Sequence, residues 1–222
     1  MVEDPIADSR PPPIPNQRTN GMNDENSLTR VFVIVLKQAV PDPQLDLNNI
    51  PQAGRVDLLC RVLTSAFFLS NSFRPSTEVW AFFQQNALLI KFRGDKFRGV
   101  QPDERSVGGF LRRVFRHVAG VGKHANKPIM GVSWQLLALE DLPELLPQAY
   151  ILEQDGELAT TKLSENDGPV FFVLGDHVGF SDEDKLILGN YPKISLGQTE
   201  LLTSQCITVL HYLMDVNQTT QT

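Results

Sequence analysis

The sequence predicts an α/β protein built on a mainly parallel sheet. Short apolar runs recur along the chain, helical patterns fall between them, and two of the runs end on glycine. Val170-Phe-Phe-Val-Leu-Gly-Asp-His-Val-Gly-Phe180 and Ile194-Ser-Leu-Gly197 share one form: an apolar stretch stops at glycine, and polar residues lead on toward a helix. A parallel sheet presents backbone groups to a ligand at its carboxyl edge in this way.

Residues 1–28 hold five of the fifteen prolines and few apolar side chains, too little buried surface to offset ordering entropy. They read as a disordered tail, and residues 29–222 as one domain. Order begins with Val31-Phe-Val-Ile-Val-Leu36, a short apolar run of the kind that forms a buried strand. Val56, Leu59, Val62, Leu63, Ala66 and Phe67 recur at three- and four-residue spacing and predict a helix. Residues 78–83 and 87–92 flank Gln84-Gln-Asn86, the pattern of two strands joined by a tight turn.

Pro102-Asp-Glu104 opens a second helix. Phe110, Leu111, Val114 and Phe115 form its apolar side, with Arg112, Arg113 and Arg116 opposite. Gly108-Gly109 within it costs about 1 kcal/mol per residue, which close packing or a ligand must offset. A strand is expected around 129–132 and a helix around 136–146, broken by Pro143. Further strands are expected at 150–152, 170–174 and 193–196, with a short acidic helix at 182–188 and a final helix over about 201–216.

Hydrophobic content of 41% and charged content of 21% are those of a soluble globular chain. Cys60 and Cys206 give no disulfide framework, so a reducing, cytoplasmic compartment is expected. No apolar run approaches the ~20 residues needed to span a bilayer. The net charge of −6 hides an asymmetry: ten Lys or Arg residues between Lys91 and Lys127 face only Asp95, Asp103 and Glu104. That segment carries +7 and the rest of the chain −13, a distribution that attracts a polyanion. The alternative is a solvated helix face with snorkelling arginines.

Several chemistries are excluded. There is no G-x-x-x-x-G-K-S/T, no G-x-G-x-x-G and no G-x-S-x-G. His117, His124, His177 and His211 lack metal-ligand spacing, so no metal is expected. Three strand ends are left: Tyr150-Ile-Leu-Glu-Gln-Asp-Gly156, Leu174-Gly-Asp176 and Ile194-Ser-Leu-Gly197. Leu152, Leu174, Ile194 and Leu196 form an apolar slot for a flat heterocycle whose edge backbone amides read. Taken singly, each glycine is more readily an ordinary turn; three in succession within one sheet favour a site.

Phe172-Val-Leu-Gly-Asp-His-Val-Gly-Phe180, Ile194-Ser-Leu-Gly197, Ser204-Gln-Cys-Ile207 and the pair His211 and Asp215 resemble the TrmY family, the tRNA pseudouridine N1-methyltransferases of the SPOUT class. Gly54-Arg-Val-Asp-Leu-Leu-Cys-Arg61, Ala66-Phe-Phe-Leu-Ser70 and Pro102-Asp-Glu-Arg-Ser106 extend the likeness, which spans about 31–216. Thr203-Ser-Gln205 and Tyr212-Leu-Met214 depart from the family pattern. The resemblance implies a SPOUT-type sheet with a deep trefoil knot over about 148–216, S-adenosylmethionine bound in the knot, and a homodimer. It implies that Leu152, Gly175, Ile194, Ser195, Leu196, Gly197 and Cys206 line the cofactor site, with Leu174 beside them. The implied partner is RNA, not DNA or a membrane, and the implied acceptor is the T-loop pseudouridine of tRNA. The alternatives are a pseudouridine N1-methyltransferase of ribosomal RNA and a catalytically silent RNA-binding or ribosome-assembly factor.

Methylation at N1 of pseudouridine requires that its proton leave, and a carboxylate within hydrogen-bond reach can take it. Asp176 and Asp103 are the candidates; the alternative is that Asp176 fixes its loop and Asp103 caps a helix. Arg55, Asp57, Arg105, Ser106, Arg112 and Arg113 are the candidate substrate-binding residues, the arginines gripping phosphates. An ion pair with Glu104 or Asp103 is the alternative for Arg105. Cys206 falls on the buried face of its helix and reads as packing, not as a nucleophile. His177 and His211 read as structural.

Overall fold

In the computed structural model, residues 29–122, 127–163, 169–189 and 191–220 are described; the expected tail, 1–28, lies outside them. Every residue of Arg30–Leu36 (β1) is buried, so this strand can only be central. In chain order follow α1 (Val56–Phe67), β2 (Thr77–Phe83), β3 (Leu88–Arg93), α2 (Glu104–Val118) and β4 (Val132–Leu136). Next come a 3₁₀ segment, Leu139–Leu145, then β5 (Ala149–Leu158), α3 (Ala159–Lys162), β6 (Val170–Gly175), α4 (Asp182–Leu188), β7 (Lys193–Ser195) and α5 (Thr203–Thr220).

The seven strands form one sheet in the order β4-β3-β2-β1-β6-β5-β7. β1 pairs in parallel with β2 and with β6, and β5 pairs in parallel with β6 and β7; β3, antiparallel to both β2 and β4, is the one strand that runs the other way. The mainly parallel sheet expected from sequence is thus present. Alternation along β1 divides the core. Phe32, Ile34 and Leu36 pack toward α1, α2 and α5, while Val31, Val33 and Val35 pack toward the 3₁₀ segment and α4.

Three sequence expectations need correction. Residues 129–131 form a turn, and the strand starts at Val132: Gly131 has φ 76°, its carbonyl accepts from Arg93 N, and Val132 N closes on Ile129 O. No α-helix covers 136–146; a 3₁₀ segment occupies Leu139–Leu145. The chain is still in β4 at Leu136, paired with Leu88, and Pro143, which lacks an N–H, then falls within 3₁₀ turns. β5 does not stop at Leu152 but runs to Leu158 through a register shift against β7. At Gly108 a β-carbon would stand 2.5 Å from Ile50 Cδ1, so close packing is what offsets the helical glycine.

β1 and α5, far apart in sequence, are fastened to each other. Arg30 donates to Asp215 at 2.7 Å and Arg74 to the other oxygen of Asp215 at 2.9 Å. His211 is buried, with Nε2 3.1 Å from Ala66 O and Nδ1 3.0 Å from an Arg30 nitrogen. The carbonyl requires a proton on Nε2 and the guanidinium a lone pair on Nδ1, so the ring is neutral. Burial, with the Arg74 and Arg30 charges beside it, pushes this imidazole down to about 3.

A folded-state value depressed from 6.5 gives stabilisation that is complete above 6.5 and is lost as pH falls toward about 3. Urea unfolding should show a fall below pH 6.5 approaching about 1.4 kcal/mol per pH unit from this residue. His211→Gln should be less stable at pH 7 yet show a flatter acid limb. Equal slopes in both proteins would mean that the imidazole is charged when folded.

Candidate functional site

Leu152 to Gln154 of β5, the carboxyl ends of β6 and β7, the first turns of α1 and the start of α5 surround a cleft of about 650 Å³. That is the size of pockets that enclose small organic ligands. Leu152, Leu174 and Leu196 form apolar walls, and Leu201, Leu202 and Phe180 extend them. Gly175, Ser195, Gly197 and Cys206 also line it. The three strand ends marked by sequence therefore meet at one place.

Ile194 is fully buried behind the wall. Its role is visible at Gly156, where a β-carbon would stand 2.6 Å from the backbone N and C of Ile194. Glycine lets β5, after diverging at residues 153–156, close again on β7, so that Leu152 and Glu157 both register with Ile194. Glu153 and Gln154 in that diverging segment face the cleft. Gly197 has φ 112°, a conformation that favours glycine, and a β-carbon there would meet nothing within 4 Å. Its N–H donates to Ser195 Oγ at 3.1 Å. Thr203 Oγ1 donates to Gly175 O at 2.9 Å and ties the start of α5 to the end of β6.

Polar groups differ in their availability. Asp176 lines the cleft, but its carboxylate is 2% exposed and accepts from Lys37 N at 2.8 Å and Val178 N at 2.9 Å. Its neighbour His177 also lines the cleft, with a side chain 33% exposed and Nδ1 4.0 Å from Asp176 Oδ2. Burial pushes the Cys206 thiol up to about 11, which leaves it protonated and unreactive near neutrality. Arg55, in the left-handed conformation at the N-cap of α1, and Arg61 both face the cleft. Asp57 holds them, with Arg55 Nε at 2.9 Å and Arg61 Nη1 at 2.7 Å. Burial raises the Asp57 carboxyl, but these hydrogen bonds outweigh it and the group titrates below its ordinary value.

The remaining predicted residues lie elsewhere. Asp103 caps α2 by accepting from Ser106 N at 2.8 Å, and Ser106 Oγ accepts from Gln101 N. Neither Asp103 nor Ser106 lines the cleft. Arg105 donates to Asn48 Oδ1 at 3.0 Å and has no carboxylate partner among the described residues. Arg112 is half-buried on α2, away from the cleft, and Arg113 lines a second cleft with Arg116. Sequence reasoning missed Thr203 and Phe180, both of which line the cleft. Only their places beside the glycine-ended strands could have flagged them.

An apolar slot floored by glycines, with backbone groups on its rim, suits a nucleoside-like ligand, and the fold around it is that of an α/β methyltransferase. A crystal structure of Nep1 from Archaeoglobus fulgidus bound to S-adenosylhomocysteine shares this fold: its TM-score is 0.61 at 14% identity, over 86% of this chain and 100% of the other. The chain belongs to the family of SAM-dependent RNA methyltransferases, which matches residues 29–219. Relatives include the tRNA (pseudouridine(54)-N(1))-methyltransferase of Methanocaldococcus jannaschii, 31% identical over 84% of this chain and 96% of that protein. The enzyme of the same name from Natronomonas pharaonis is 33% identical, covering 85% and 97%. The observed cleft fits the family's cofactor. Leu152, Leu174 and Leu196 are placed to enclose a flat base, and the open face at Gly197 leaves room beside it.

Gly197→Ala, which carries the same backbone strain at φ 112° with little bulk, should keep measurable affinity, whereas Gly197→Trp should abolish binding of S-adenosylhomocysteine in calorimetric titration. Retention of full affinity by Gly197→Trp would remove Gly197 from the site.

Proposed function

We propose that this protein methylates N1 of a pseudouridine in the T-loop of tRNA, and that Leu152, Leu174, Gly175, Ser195, Leu196, Gly197 and Cys206 hold S-adenosylmethionine, with Ile194 supporting them from behind. The single observation that carries this reading is the meeting of the three glycine- and leucine-bearing strand ends in one cleft, in a chain whose relatives bear that activity in their names. S-adenosylmethionine supplies an activated methyl group on a sulfonium. The chain's part is to bind, to orient and to manage one proton.

Pseudouridine carries an N1–H because its sugar is attached through carbon, and this proton must leave as the nitrogen attacks. Asp176 is the candidate carboxylate that faces the cleft; Asp103 does not face it. Both Asp176 oxygens already accept backbone N–H groups, so we place the proton on the adjacent His177 imidazole, with Asp176 behind it stabilising the imidazolium. Arg55 and Arg61, pre-oriented by Asp57, would hold the phosphates that flank the target nucleotide. Arg105, Ser106, Arg112 and Arg113 would grip the RNA farther along.

The finer architecture follows the same reading. A knotted path is supported by the return of the chain after β7 to the end of β6, where Thr203 meets Gly175, before α5 packs on α1. A homodimer and a cytoplasmic location accompany that proposal. No helix among the described residues is long and apolar enough to cross a membrane.

The test offers labelled S-adenosylmethionine with tRNA, or with small-subunit ribosomal RNA, each with and without its pseudouridine. Label should enter only pseudouridine-containing tRNA; transfer to the uridine form would overturn the chemistry. His177→Gln should lower kcat about 10²-fold or more and change the shape of the pH–rate profile, with cofactor affinity retained. An unchanged profile would return the proton to another group.

A further inference from the structure

A second cleft, of about 680 Å³, opens between α2, the end of β3 and the turn before β4. Its floor is apolar, built from Phe97, Phe110, Ile129 and Val132. At its mouth Val121 is 51% and Met130 73% exposed, an unusual display for large apolar side chains. Around them stand Arg93, Lys96, Arg98, Arg113, Arg116 and Lys127. Asp95 pairs with Arg93 and Lys96. Among the described residues no carboxylate pairs with Arg98, Arg113, Arg116 or Lys127. Arg98 reaches only carbonyl oxygens and an aromatic face, Arg116 the carbonyl of Pro43, and Arg113 the ring of Phe110 at 5.8 Å.

We propose that this cleft captures a second nucleotide of the RNA substrate, unstacked from its neighbours. Its base would lie against Met130 and Val121, and its phosphates against Arg113 and Lys127. The combination argues for this occupant. Cations alone would suit any polyanion, and an apolar hollow alone any greasy side chain; a nucleotide presents a flat apolar face and a charged backbone a few ångström apart. An acidic protein segment matches the charge but leaves the apolar floor to be covered by side chains of its own.

Position separates this cleft from the methyl-transfer cleft. Glu78, at the start of β2, registers with Arg93, whereas the cofactor cleft gathers the opposite ends of β6 and β7. Three strand spacings also intervene between β3 and β6. At about 4.8 Å per strand and about 3.3 Å per residue, the two clefts are roughly 20 Å apart. That is about six nucleotides of a stacked strand at about 3.4 Å each. The captured nucleotide is therefore not the methyl acceptor or its immediate neighbour. It is a remote contact that fixes the register of the RNA, and it rests on the proposed RNA substrate.

The experiment replaces Met130 by photo-cross-linking p-benzoylphenylalanine in the full chain and irradiates it with pseudouridine-containing tRNA. The expected product is a cross-link to a tRNA nucleotide several positions from the methylated one. In parallel, Arg113→Gln with Lys127→Gln should reduce the slope of log affinity against log salt by about two. Met130→Ser should weaken tRNA binding about fivefold with the slope unchanged. Absence of any RNA cross-link, together with unaltered affinity and slope in both variants, overturns the proposal, as does a cross-link to polypeptide in place of RNA. A protein that cross-links to tRNA at position 130 yet methylates none of the offered RNAs would instead overturn the proposed reaction and leave this cleft standing.

Discussion

The parallel closure of β7 on β5 governs the whole C-terminal half of the molecule. β7 has three residues, too few for its own pairing to secure it, and yet it must deliver Ser195 to Gly197 to the cleft and launch α5. Two close contacts hold it: Ile151 N on Pro192 O, and the backbone of Ile194 against Gly156. The second is possible only because residue 156 has no side chain. The intervening segment, freed from the ladder, turns Glu153 and Gln154 toward the cleft. One missing side chain thus sets both the strand pairing and a wall of the site.

The opposite end of α5 is held by electrostatics instead of sheet geometry. Arg30 and Arg74 share Asp215, and the neutral ring of His211 bridges Arg30 to the Ala66 carbonyl. Removing one member would leave a buried guanidinium or carbonyl without its partner, which costs more than the net worth of the bond. The helix that brings Thr203 and Cys206 to the cleft is therefore anchored at two points, by Thr203 on Gly175 and by Asp215 on β1. Such a frame holds the cleft preorganised, so that a ligand binds there at little entropic cost.

What sequence made legible follows from what carries a period or a gap. The alternation of β1, the helical spacing of α1 and the glycines at 175 and 197 each have a local cause, and each was readable. The turn at Gly131 was not, because Ile129 and Met130 look like strand residues, and only the pairing of Val132 with Phe92 shows that the ladder starts later. Leu136 belongs to an edge strand for the same reason: its partner Leu88 is remote in sequence. Gly156 gave no sign of a close approach, since the atom it avoids belongs to Ile194. Of the candidate site, the residues on strand ends could be found, while Thr203 and His177 depend on how two strand ends and a helix converge.

The order of the strands also carries a consequence for synthesis. β1 is flanked on one side by β2, which leaves the ribosome soon after it, and on the other by β6, more than 130 residues later. At about 5–20 residues per second, β1 waits on the order of ten seconds with one hydrogen-bonding edge and much of its apolar surface unclaimed. Its second clamp, Asp215, emerges later still. The nascent amino-terminal half therefore passes through a period as a sheet with an exposed edge that is apolar from Val31 to Leu36, the kind of surface that chaperones cover.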